Sequence, residues 1–164
     1  MRENNFWAHF HLTVNELPVI GFLLATVFLA LSLVIQTRDG WAREGMLTLA
    51  ISVAGVLLAF FSGDPALDVI SGQTGTSGRA LTQHHVRSIY ALSSAVVAAV
   101  LAVIAIVKAR KAGGSYPLRW LRIVFVAAAI TLAALGWTGL AGGRISHPEL
   151  QTPADKEGGP AHDH

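Results

Sequence analysis

Leu17-Pro-Val-Ile-Gly-Phe-Leu-Leu-Ala-Thr-Val-Phe-Leu-Ala-Leu-Ser-Leu-Val-Ile35 runs for nineteen residues without a charge. Coiled as a helix at about 1.5 Å per residue, it is roughly 28 Å long, close to the ~30 Å hydrocarbon thickness of a bilayer. Three later runs have the same character, and the composition agrees. Of 164 residues, 52% are hydrophobic and 13% charged, where soluble domains carry about 25% charged residues. Mean hydropathy is +0.52. The sequence therefore predicts an all-α, integral membrane, antiparallel four-helix bundle. Its helices are expected at about 13–36, 41–63, 82–108 and 118–140. They form one transmembrane domain, 1–149, followed by a polar tail, 150–164, with the signature of disorder.

Punctuation between the runs fits this division. Thr37-Arg-Asp-Gly40 reads as a turn, and Gly63-Asp-Pro65 reads as the end of the second helix. Residues 66–83 are rich in Gly, Ser and Thr and read as a polar loop. Residues 108–122 form a basic connection without an acid. Pro18 is expected in the first turns of its helix, where a missing N–H costs little. Met1-Arg-Glu-Asn-Asn lacks a basic region, which argues against a cleaved secretory leader.

Two helices carry small residues at helical spacing. Thr48, Ser52, Gly55, Ala59 and Ser62 share one face, as do His84, Ser88, Ala91, Ala95 and Ala98. Small faces allow close helix packing in lipid. The second set predicts that His84 looks into the bundle and that His85 sits at its edge.

Charge sets the expected orientation. The connections between helices 1 and 2 and between helices 3 and 4 carry Arg38, Arg43, Lys108, Arg110, Lys111, Arg119 and Arg122. The opposite ends carry Arg2, Arg79, Arg87, Arg144 and Lys156, spread over longer segments. The positive-inside rule then places both termini on the non-cytoplasmic side, the periplasm for a multi-pass protein of a bacterial inner membrane. All seven histidines fall on that outer side.

The entrance to the first helix, Trp7-Ala-His-Phe-His-Leu-Thr-Val-Asn-Glu-Leu-Pro18, is unusually polar for its place. Ionisable residues beside a membrane segment are candidates for function. Imidazoles from different helices, with small residues between, suit a b-type haem inside a four-helix bundle. His11 and His84 are the first candidates for the iron, followed by His147, with His85 as a second ligand or orienting group. Asn15 lies four residues from His11, on its face, and is placed to fix the imidazole tautomer. Arg79, Arg87 and Arg144 are candidate partners for propionates. A zinc or copper site from His9, His11, His147 and Glu16, or from the terminal Ala161-His-Asp-His164, is a second possibility. A purely structural cluster of hydrogen-bonded imidazoles is a third. Glu16 is read equally as a helix-start acid and as a proton-linked group, and Asp64 as a turn residue.

Several classes are excluded. The chain has no cysteine, so disulfides, thiolate metal sites and covalent haem attachment are absent. Its two methionines do not make a thioether copper site. No basic patch is interleaved with aromatics, so no nucleic-acid partner is expected. There is no nucleophile elbow, phosphate loop or His-Glu-x-x-His. An electron-transfer or accessory subunit is expected over a stand-alone enzyme. Its partners would be the bilayer and other membrane or periplasmic redox proteins.

The motifs His9-Phe-His11, Asn15, Pro18, Gly21, His84 and Gly142-Gly-Arg-Ile-Ser-His-Pro-Glu149 span nearly the whole apolar part. They resemble a family of small four-helix bacterial membrane proteins, some of them found beside or fused to cytochrome modules. The family pattern is His-Phe-His-Leu-x-x-Asn-His-x-Pro-x-x-Gly, then His-Glu, then Gly-Gly-x-Ile-x-His-x-Glu. The resemblance implies a haem b or redox-linked role. Glu16 here stands where the pattern has histidine, and His85 where it has glutamate.

Overall fold

The computed structural model describes residues 2–70 and 78–147, with the backbone alone at 2–5, 67–70 and 146. The described residues form four helices: α1 Arg2–Val34, α2 Arg38–Ile70, α3 Gly78–Lys111 and α4 Leu118–Ser146. Each is long and apolar enough to cross a membrane. Short connections after α1 and after α3 make those neighbours antiparallel. α1 packs most closely on α2, and α3 on α4; α1 also meets α4, and α2 meets α3 more loosely, while the remaining two pairs barely touch. α1 and α3 therefore stand diagonally opposite.

One packing rule builds all four helices. In α3 the inward positions are His84, Ser88, Ala91, Ala95, Ala98, Ala102, Ala105 and Ala109, alternating four and three residues apart; the six alanines are buried. In α4 they are Leu121, Val124, Ala128, Thr131, Leu135 and Thr138, all buried. This is the seven-residue repeat that keeps one seam of a helix facing its neighbours. The alanines bring the α4 backbone close to α3, and close approach multiplies dispersion contacts. The small faces expected from sequence are thus inward in both α2 and α3. The opposite surfaces are apolar and exposed, as at Leu23, Ile51, Val97 and Ile130.

Glycines set the α1–α2 contact. A Cβ built on Gly21 would collide with the Ser52 side chain, and one on Gly45 would lie 2.9 Å from Leu29 Cγ. Gly55 lies flat against the Pro18 ring, with 3.6 Å from its Cβ position to Cδ.

The helices are longer than their apolar cores. α1 starts about eleven residues before the expected 13. α2 continues through Gly63-Asp64-Pro65 instead of ending at 63. α3 opens before 82, and α4 passes 140 through Gly142-Gly143. Gly and Pro are weaker breakers in apolar bundles, where neighbours can satisfy the freed backbone groups. Pro18 consequently lies deep inside α1 and not in its first turns. There it withholds a hydrogen bond from the Val14 carbonyl, and its ring is fully buried. The expected polar loop shrinks accordingly, its ends belonging to α2 and α3. The tail 150–164 lies outside the described residues.

The basic end is tied by two devices. Gly113 and Gly114 have φ of 69° and 96°, and Gly114 N–H donates to the Ala109 carbonyl at 2.9 Å, a glycine-closed helix end. The Asp39 carboxylate at the start of α2 accepts from Tyr116 N–H at 2.8 Å, and Arg38 pairs with Asp39 at 3.9 Å.

Candidate functional site

At the opposite end the same repeat continues with different residues. Its last layers hold His11 from α1, Ser62 and Gly63 from α2, His84 and Ser88 from α3, and Thr138 and Gly142 from α4. Small residues where large ones would close the bundle leave a cavity of about 270 Å³. All four helices line it, through residues that include His11, Asn15, Pro18, Asp64, His84 and Gly142.

Both central imidazoles are half-buried and held at Nδ1. His84 Nδ1–H donates to the Thr138 carbonyl at 3.2 Å. A carbonyl only accepts, so this ring carries its proton on Nδ1. His11 Nδ1 lies 3.0 Å from Ser62 Oγ, and that hydroxyl donates to the Ala59 carbonyl at 3.2 Å. Ser62 Oγ therefore accepts from His11 Nδ1–H. The two rings share one tautomer, and among the described residues Nε2 of each has no hydrogen-bond partner. Ligating histidines are characteristically held this way, with one nitrogen donating to the protein and the other left for the ligand.

Glycines receive the rings. The Cβ position of Gly142 is 3.3 Å from both Cε1 and Nδ1 of His84. That of Gly63 is 3.6 Å from His11 Cε1. His84 is within electrostatic reach of His11, His85 and Arg87.

The remaining candidates are placed as follows. Asn15 lines the cavity, but the group on His11 Nδ1 is Ser62, across a helix boundary, and not Asn15 on the same helix. His85 lines the exposed rim, its ring 6.5 Å from that of Phe60. Arg87 turns away along α3 and α4. It donates to the Trp137 carbonyl at 3.2 Å and to Gln83 Oε1 at 3.3 Å, and its guanidinium sits 4.6 Å over the Trp137 ring. These partners hold it off the cavity, so the expected propionate role has no support in its position. Arg144 is half-buried on the last turn of α4, outside the lining, and already engaged. His147 is the exposed residue that ends α4; its N–H donates to the Gly143 carbonyl, and its side chain does not line the cavity.

Among the described residues, no three His, Cys, Asp or Glu side chains come together as a metal site. His9 and Glu16 are exposed and do not line the cavity, so the set His9, His11, His147 and Glu16 is not assembled. The terminal His-Asp-His lies outside the described residues. Ser62 and the Thr138 carbonyl, which hold the two imidazoles, are partners that the sequence alone did not pair with them. Comparison with known protein families, with curated proteins and with solved structures finds no match to this chain.

Proposed function

We propose that this chain is a b-type cytochrome-like subunit of a bacterial inner membrane, its termini in the periplasm, with haem iron held between His11 and His84. The observation that carries this reading is the pair of Nδ1-anchored imidazoles with free Nε2 atoms, lining one cavity from diagonally opposite helices. The seven basic residues at the far end support the orientation. The donor set fits haem: two neutral imidazoles, each with its tautomer assigned. Haem would supply one-electron chemistry. The chain's residues hold and orient: Ser62 and Thr138 fix the rings, Gly63 and Gly142 admit them, and apolar walls limit water.

Volume favours a second reading. The cavity is just below the ~300–1,000 Å³ of small-molecule pockets, which suits a single ring better than a porphyrin. A quinol headgroup would donate its two hydroxyls to the two Nε2 lone pairs and connect the chain to the membrane pool.

Absorption spectra of oxidised and reduced protein, purified after expression with haem supplied, test the first reading. A Soret band that is lost, or changes spin state, in His11→Ala and in His84→Ala supports it. No Soret band sinks it. Extraction of bound quinone in proportion to protein, lost in the same variants, then supports the second reading. Neither cofactor, with a stable copurifying protein, would instead indicate an accessory subunit of a larger complex; bound zinc or copper would indicate metal handling.

A further inference from the structure

A second cavity, of about 630 Å³, lies between α3 and α4, away from the histidines. Val97, Val126 and Ile130 are exposed along it. Ser93 and Ser94 also line it, but their hydroxyls donate to the Ile89 and Ala91 carbonyls at 2.8 and 2.9 Å. Their hydroxyl protons are thus engaged by the backbone, and the two serines donate nothing to a ligand. One lining residue differs in kind. Arg122, exposed, stands at the end of the groove nearest the basic connection. Among the described residues no carboxylate pairs with it. The helix ends around it carry six further basic residues against two acids, Asp39 and Glu44. From Arg122 to Ile130 is eight residues, about 12 Å of helix.

We propose that this groove binds an anionic phospholipid, one acyl chain lying along α3 and α4 and the phosphate at Arg122. The chemistry of the groove selects that occupant. The walls match a hydrocarbon chain, the unpaired guanidinium matches a phosphate, and the two lie one short chain segment apart. Basic pockets between helices on the cytoplasmic side take such headgroups. The inference rests on the membrane-spanning part of the proposed function and is independent of haem.

Native mass spectrometry of the full chain, with phosphatidylglycerol or phosphatidylcholine of identical acyl chains, tests it. One basic contact near the surface predicts about a fivefold preference for phosphatidylglycerol. Arg122→Gln should bring the two lipids to parity. Arg119→Gln, an exposed charge at the same end outside the groove, should keep the preference. Val97→Trp, which fills the groove, should weaken both lipids. Equal binding by the wild type, or a preference that survives Arg122→Gln, overturns the site. Carbonate washing of membranes separates this from the parent reading. A chain that stays in the washed membrane but shows no lipid preference fails only here; a chain released by carbonate fails in both.

Discussion

Gly142→Ala separates ligand binding from stability, because it should weaken the first and leave the second nearly unchanged. The new Cβ would sit 3.3 Å from Cε1 and Nδ1 of His84, tighter than ordinary contact. The imidazole must move by a few tenths of an ångström. Its Nδ1–H bond to Thr138 is already 3.2 Å long, so a shift away from α4 largely breaks it. Interhelical hydrogen bonds in apolar bundles contribute about 0.6 kcal/mol on average. Replacing glycine by alanine inside a helix returns about 0.8–1 kcal/mol. The terms nearly cancel, so thermal melting in detergent should change little. Binding should not be spared, since losing the partner that orients a ligating histidine typically costs about 10–100-fold in affinity. Gly136→Ala is the control. Nothing lies within 4 Å of its Cβ position, so it should melt higher and bind normally. Haem titration followed by absorbance measures the affinity, or quinone binding if no Soret band forms. Unchanged affinity in Gly142→Ala would refute the role given to His84 and its Nδ1 bond.

Gly21→Ala should destabilise the closest helix pair by about 1–3 kcal/mol, because its Cβ meets Ser52. Adding Ser52→Gly should restore part of the loss in the same melt; a double variant no better than the single one would remove the steric explanation. Asp39→Ala should cost about 1 kcal/mol: a bond to a charged group is discounted here because Asp39 is 44% exposed. Asp39→Asn, which keeps an oxygen for Tyr116 N–H, should recover most of it, and a loss equal to that of alanine would count against the bond. The absence of cysteine makes orientation simple to test. In intact cells an impermeant maleimide should label His9→Cys and not Ala112→Cys, and the reverse pattern would overturn the assignment of sides.

The architecture was legible because it depends on periodic patterns. Ala91, Ala95 and Ala98 repeat along the sequence, and the same repeat points His84 inward. Helix ends were less legible. Gly63-Asp-Pro65 has the composition of a stop, yet α2 passes through it, because a bundle satisfies groups that an isolated helix leaves open. Long-range partners were not legible at all. Ser62 lies fifty-one residues from His11, whereas Asn15 is the local neighbour that spacing suggests. Arg87 shows the same limit. Its position near the histidines suggested an anion partner, and only the folded chain reveals Trp137 beneath it.

Whether the imidazoles serve the fold or a ligand can be decided by removing one without leaving a hole. His84→Leu keeps roughly the same volume and removes a polar ring from a half-buried site. The Thr138 carbonyl it abandons lies inside α4, where the regular helical bond from Gly142 N–H still satisfies it. The loss is therefore limited to one bond of about 0.6 kcal/mol. The gain is an apolar group in place of one that must be desolvated. Stability should stay within about 0.5 kcal/mol of the wild type or rise. A purely structural cluster predicts a loss at least as large as the ~1.7 kcal/mol upper range for such bonds, since the fold would then depend on them. A melting point that holds while the cofactor is lost would show a residue retained at some cost to packing, as expected where function and not folding selects it. A large drop in melting point with no cofactor at stake would instead make the cavity a by-product of small residues meeting at one end of the bundle.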